Sequence, residues 1–283
     1  MNWKHFLIRI LLVAIAFPVF GALIFLVPQL GHLAFNAIVV VVTVIGAFEV
    51  EGLFRAKKIR TARWLAPLLA GTLPAAAYLE MMGIIPPASH GLAVAAALAI
   101  LLVRSILFRT DRSLPALLSF TASSVFVLLY PAFSLAYIVR LSGLPDPSLT
   151  ILFFLLVVFG NDMAAYFAGS LWGGSTRLHL PVSPRKSAVG FGAGIAGSFI
   201  IVFGFRLLAP GFLRLSLGAA VALALVVAIT VILGDLIESG LKRSAGVKDS
   251  GVVIPGRGGV LDSVDSMVLA APLLYGFLLL AGR

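Results

Sequence analysis

The sequence contains no cysteine and little charge. Without cysteine there is no disulfide framework, no thiolate metal site and no thiol redox chemistry. Only 11% of the 283 residues are charged, whereas a soluble domain carries roughly a quarter. So little polar surface cannot coat a water-soluble globule. Acids are the scarcer charge, with 11 Asp and Glu against 21 Lys and Arg. Apolar residues fill the rest: 61% of the chain is hydrophobic and the mean hydropathy is +1.12. Disordered, collagen-like and disulfide-stapled classes are excluded. The composition is that of an all-α, polytopic integral membrane protein.

A bilayer core needs about 20 mainly apolar residues per helix. Nine such runs are predicted, at 9–28, 33–53, 64–84, 91–108, 114–139, 149–171, 187–208, 216–238 and 265–282. Turn chemistry separates them, as at Pro28–Gly31, Gly143–Pro147 and Pro210–Gly211. The first run follows Lys4 and Arg9 and is closed by no A-x-A site, so it reads as an uncleaved helix. With the N-terminus in the cytoplasm, 17 basic residues fall on the cytoplasmic side. Only Arg140, Arg206, Arg214 and Arg283 fall on the other. That asymmetry predicts an N-in, C-out arrangement in the cytoplasmic (inner) membrane. It also accounts for the net charge of +10, which in a soluble chain would suggest nucleic acid. Two regions are expected: a hydrophobic helical scaffold over 1–140 with about five spans, and a catalytic helical region over 141–283.

Polar residues able to do chemistry collect after about residue 160. Asp162 lies in an otherwise apolar span, within Gly160-Asn161-Asp162-Met163-Ala164-Ala165-Tyr166. Close helix packing explains the small residues, with Asn161 bonding across. It does not explain the carboxylate, since acids at membrane depth usually line a site. Ser183-Pro184-Arg185-Lys186-Ser187 places two cations and two hydroxyls before a glycine-rich helix. This suits phosphate at a helix start; the structural alternative is a basic anchor with Ser183 as helix cap. Asp235 and Glu238 share a helix face in Gly234–Arg243, and Glu238 stands four residues before Lys242, the spacing of a terminal ion pair. Asp235 has no cation nearby in sequence.

The densest stretch runs from Lys248 to Ser266. It holds Lys248, Asp249, Gly256, Arg257, Gly258 and Gly259, then Asp262 and Asp265 at a helix start. Glycines let backbone N–H groups surround phosphate oxygens. Lys and Arg neutralise phosphate charge. Carboxylates hold Mg²⁺, which keeps several waters and is shared with substrate phosphates. A flexible loop before N-terminal helix acids would explain one acid, but not this concentration of charge. Together the four segments point to a metal-bound, polyphosphate-containing substrate at the cytoplasmic membrane surface.

The run Ser239-Gly240-Leu241-Lys242-Arg243, Lys248-Asp249-Ser250-Gly251, Pro255-Gly256-Arg257-Gly258-Gly259, Asp262-Ser263-Val264-Asp265 resembles the signature of phosphatidate cytidylyltransferases (CDP-diacylglycerol synthases). Asp162–Gly169, Ser183–Ser187 and Gly234–Ser239 resemble the family's upstream segments in order and spacing. The likeness covers about residues 155–275. It implies transfer of CMP from CTP to phosphatidate, giving CDP-diacylglycerol and pyrophosphate for phospholipid synthesis, with Mg²⁺ and room for a second cation. Asp235, Asp262 and Asp265 would be both catalytic and metal-binding, with Asp162 and Asp249 close to the metal. Lys248 and Asp249 would join the catalytic group. Asp162, Ser183, Lys186, Lys242, Arg243, Gly256, Arg257, Gly258 and Gly259 would bind substrate. Besides CTP and phosphatidate the partners would be membrane lipids, with no nucleic acid; a homodimer is compatible with the family. Three positions depart from the pattern. Arg257 stands for the usual His, Ser263 for a cation, and Val189 for a frequent Glu. The cation absent at 263 is matched by one at 257.

Two other functions compete. A CTP-dependent polyprenol or phytol kinase, or a synthase of another CDP-lipid, would share much of this chemistry. The extended stretch from Lys248 to Asp265 favours the cytidylyltransferase. A secondary transporter would place its acids near the bilayer midplane and show a repeated half. Here the acids crowd one boundary and the halves are unlike.

Overall fold

A computed structural model describes residues 18–107, 111–254, 256 and 258–281. Most of the first predicted span and Arg257 therefore lie outside the described residues. After a helical stretch at 18–25 come α1 (Gln29–Ala56), α2 (Leu65–Met81), α3 (Ser89–Leu107), α4 (Leu117–Leu141), α5 (Pro147–Trp172), α6 (Ala188–Leu208), α7 (Leu217–Ala245) and α8 (Leu261–Leu280). Short 3-10 turns occupy Asp111–Ala116 and Gly173–Thr176. Among the described residues β structure is limited to isolated bridges.

Seven of the described helices are long and apolar enough to cross a membrane, and α2 is a shorter apolar helix of 17 residues. Exposed positions are apolar as well: Leu118, Leu207, Leu208 and Leu280 are each more than three-quarters exposed. A soluble protein would cover such residues, whereas a bilayer solvates them. The chain is an all-helical, multi-pass membrane protein.

The helix limits follow the breaks in the apolar runs. The backbone turns left-handed through Leu30, Gly31 and His32, so the regular part of α1 begins where the sequence predicts a span at 33. Ser187, not Ser183, caps α6: its side chain accepts the Gly190 N–H at 3.1 Å. α7 runs on to Ala245, well past the predicted end at 238, because its polar last turns remain helical.

The chain divides into two compact units. The first comprises 1–143 and 244–264, the second 144–243 and 265–283. In the first, α1–α4 pack on a core that includes Val127, Leu128, Ala132 and Leu135, all fully buried. In the second, α5 and α6 pack closely. Asn161 of α5 donates to the Gly194 carbonyl and to Ser198 Oγ on α6, both at 2.9 Å. Phe153, Phe205 and Phe212 form an aromatic cluster with ring centroids 5.0–5.9 Å apart.

Candidate active site

In the first unit, the loop before α8 is folded around two carboxylates. Ile254 and Gly258 exchange both backbone hydrogen bonds, at 2.8 and 3.0 Å, closing a tight turn. Asp262 Oδ2 accepts from Ser250 N at 2.9 Å, Ser250 Oγ at 2.9 Å and Gly259 N at 2.6 Å. Glu49, from the C-terminal third of α1, accepts from Val260 N at 2.9 Å and Leu261 N at 2.7 Å. These are N–H groups at the start of α8, which lack partners within the helix. Ser250 Oγ also lies 2.9 Å from Glu49, so its single proton is shared between Glu49 and Asp262.

The glycines of this loop are required by space. Gly258 has φ +111°, and a Cβ there would lie 2.6 Å from Asp262 Oδ2 and 2.9 Å from Asp249 Cβ. A Cβ at the buried Gly259 would strike Ser250 Oγ and Glu49. Gly256 also takes a left-handed φ, of +75°, and is exposed, as are Lys248 and Asp249. The glycines thus bring N–H donors onto Asp262 and Glu49. Glu49 did not figure in the sequence reading. The signal was available, because an acid in an apolar span is the feature that singled out Asp162.

The second unit holds a different arrangement. Asp265 is buried, and its Oδ1 accepts from Ser266 N at 2.6 Å and Ser266 Oγ at 3.2 Å. Ser266 Oγ lies equally far from Asp162 Oδ1, so one hydroxyl links the two carboxylates. The negative charges of Asp235, Asp162 and Glu238 all act on Asp265. Gly234 makes this possible. A Cβ there would lie 2.6 Å from the Asp265 carbonyl oxygen and 3.1 Å from Ser266 Cα, so only glycine lets α7 cross α8 this closely.

Two lysines balance part of that charge. Lys186 forms an ion pair with Asp235, supplying from 49 residues upstream the cation that the local sequence lacks. Its amine also lies 5.9 Å from the Phe191 ring centre. Lys242 pairs with Glu238, as the i, i+4 spacing predicts, but the pair is buried: the side chains are 11% and 0% exposed. Ser183 sits in the turn before α6, where its N–H bonds the Leu180 carbonyl and its carbonyl accepts from Lys186 N. Val182 beside it lies near α7: a Cβ at Gly240 would be 3.4 Å from its Cγ1. Arg243 is exposed at the end of α7.

Among the described residues, no group of three or more His, Asp or Glu is arranged to hold a metal ion. The donor chemistry nonetheless suits a hard divalent cation. Asp162, Asp235 and Asp265 offer only oxygen donors, and the charges of Asp162 and Asp235 both act on Asp265. Mg²⁺ binds through one or two carboxylates plus waters and substrate phosphates, so a closed protein cage is not required.

Known proteins resemble this sequence over part of its length. A chain from Synechocystis sp. named phosphatidate cytidylyltransferase is 44% identical over 124 residues, covering 44% of this chain and 41% of its own. One of that name from Bacillus subtilis is 36% identical over 145 residues, covering 51% and 53%. A third, from Brucella suis, is 43% identical over 155 residues, covering 53% and 54%. This chain thus spans about half the length of the curated relatives it matches. The family model reaches much further: the one described as the cytidylyltransferase family matches residues 7–281, nearly end to end, and the chain belongs to that family.

Proposed function

We propose that the protein transfers CMP from CTP to phosphatidate, releasing pyrophosphate and forming CDP-diacylglycerol for phospholipid synthesis. The observation that carries this reading is the gathering of Asp162, Asp235 and Asp265 with Lys186, in a chain whose relatives bear the name of that activity. In the reaction, an oxygen of the phosphatidate phosphate attacks the α-phosphorus of CTP. The bond from that phosphorus to the bridging oxygen breaks, and pyrophosphate departs with the electron pair. The attacking phosphate is already anionic, so no strong general base is needed. The main obstacle is repulsion between two phosphates, which fixed positive charge reduces.

Asp162, Asp235 and Asp265 would hold Mg²⁺, while Asp262, whose Oδ2 accepts from the Ser250 and Gly259 donors, would shape the loop. Bound there, Mg²⁺ supplies the charge that offsets phosphate repulsion and the pyrophosphate leaving group. Lys186 and Lys242 present their amines beside Asp235 and Glu238, already desolvated in part, and would take phosphate oxygens. Arg243, Lys248 and Arg257 add cations for the triphosphate. Gly256 would let the backbone approach it, in a loop shaped by Glu49 and Asp262, where the Gly258 and Gly259 N–H groups are taken by the Ile254 carbonyl and Asp262. The charge asymmetry of the loops supports an inner-membrane location with this chemistry on the cytoplasmic face, where CTP resides.

The test is an incubation of purified protein in detergent with phosphatidate, Mg²⁺ and CTP labelled at either the α- or the γ-phosphate. Label from the α-position in lipid, with pyrophosphate released, is the expected result. Label from the γ-position in lipid would replace this reading with a CTP-dependent lipid kinase.

A further inference from the structure

The basic residues between α1 and α2 were assigned above only to membrane topology, yet they converge on a cavity. It lies wholly in the first unit and has a volume of about 410 Å³. This is within the roughly 300–1,000 Å³ of small-ligand pockets. Arg55, Lys58, Arg60, Arg63 and Arg104 line it, with Glu51 as the only acid. Glu51 is buried and already engaged, by Arg55 at 3.4 Å and by the Thr61 hydroxyl at 3.3 Å. The lining therefore carries five cations against one carboxylate. A charge bias between loops explains why cations lie on this side of the membrane. It does not explain why they surround one cavity.

The loop that carries them is fixed in place. Ser123 Oγ donates to the Arg60 carbonyl at 2.9 Å, and Ala62 N donates to Ser124 Oγ at 2.8 Å, tying the loop to α4. Lys58 is held in a left-handed conformation, φ +58°, by a turn closed through Lys58 N to Arg55 O and Ile59 N to Phe54 O. A merely solvated basic fringe would need neither restraint. Part of the wall is apolar, from Ile59 and Phe120. Beside it Trp64 is 64% exposed, with the Arg63 guanidinium 5.5 Å from its ring centre. An exposed Trp among cations marks the headgroup level of a bilayer, and basic pockets between transmembrane helices are where phospholipid headgroups bind.

We propose that this cavity binds a phosphate-bearing anion, and that its source is the headgroup of an anionic phospholipid. None of its residues belongs to the signature or to the groups assigned above to the reaction. The site therefore lies beyond the proposed activity and does not depend on it.

The full-length protein in a non-ionic detergent would be titrated by native mass spectrometry with short-chain phosphatidylglycerol, and separately with inorganic phosphate and pyrophosphate. Phosphatidylglycerol is a phosphodiester and lacks the terminal phosphate that the proposed reaction consumes. Wild type would be compared with Arg60→Ala/Arg104→Ala and with Lys57→Ala, whose side chain does not line the cavity. The expected result is phosphatidylglycerol binding that weakens at least tenfold in the double variant and is unchanged in the control. Matching melting temperatures for all three proteins exclude a folding defect. If only pyrophosphate or phosphate binding weakens, the lipid source is wrong. If the double variant binds every probe like wild type, no anion site exists there.

Discussion

The two units use carboxylates in opposite ways. Around the loop before α8, Glu49 and Asp262 are met by neutral donors: backbone N–H groups and the Ser250 hydroxyl. In the second unit, Asp162, Asp235 and Glu238 all act on Asp265, and two lysines and the Ser266 and Ser239 hydroxyls temper the charge of the group. A carboxylate that accepts several N–H bonds in a fixed loop holds backbone in place. A group of carboxylates set close together is where a cation is proposed to bind. The contrast separates residues that shape the proposed chemistry from residues that carry it.

Asp265→Asn tests that contrast most directly. Asparagine can keep the Oδ1 acceptor for Ser266 N and Oγ while removing the charge. Turnover should fall by a thousandfold or more, about 4 kcal/mol on the barrier. Thermal stability in detergent should not fall, because the repulsion from Asp235, Asp162 and Glu238 is relieved. Full activity in this variant would remove Asp265 from any cation site. A large loss of stability instead would make it a structural residue like Glu49.

Glu238→Gln should act mainly on stability. It leaves the Lys242 amine largely buried without its counter-charge, at a cost of about 3 kcal/mol. Replacing both, as Glu238→Gln/Lys242→Met, should recover most of that loss, since no isolated charge remains. The comparison is read from melting of the purified variants. A double variant as unstable as the single one would show that Glu238 is held by something other than its ion pair.

How much of this was legible beforehand depends on distance along the chain. Helix limits were, because an apolar run and its Pro or Gly break are local: 64–84 was expected for Leu65–Met81 and 187–208 for Ala188–Leu208. The Glu238–Lys242 pair was legible for the same reason. The end of α7 was misread because its polar residues look like the edge of a span, although Asp235–Lys242 stays helical with Gly240 inside it. Long-range partners could not be read at all. Lys186 reaches Asp235 only because the turn before α6 lies against α7. Glu49 is more than 200 residues from the N–H groups it accepts. In one dimension it is one of two acids, with Glu51, near the end of an apolar helix.

Glu49→Gln should therefore cost about 2 kcal/mol by leaving buried donors short of an acceptor. It should also make the segment from Ser250 to Leu261 more open to protease, which limited proteolysis would report. Gly258→Ala acts on the same loop with a smaller effect. An alanine at φ +111° is strained by about 1–2 kcal/mol, and its methyl would press on Asp262 and Asp249. The side chain of Asp262 has a means of relief, a change of rotamer, but only by giving up the Gly259 and Ser250 donors. The loss should thus appear as a weaker KM for CTP with kcat changed only a few-fold, because the carboxylates of the second unit are untouched. If kcat collapsed instead while KM held, the loop would belong with the carboxylates that carry the reaction rather than with the structure that shapes it.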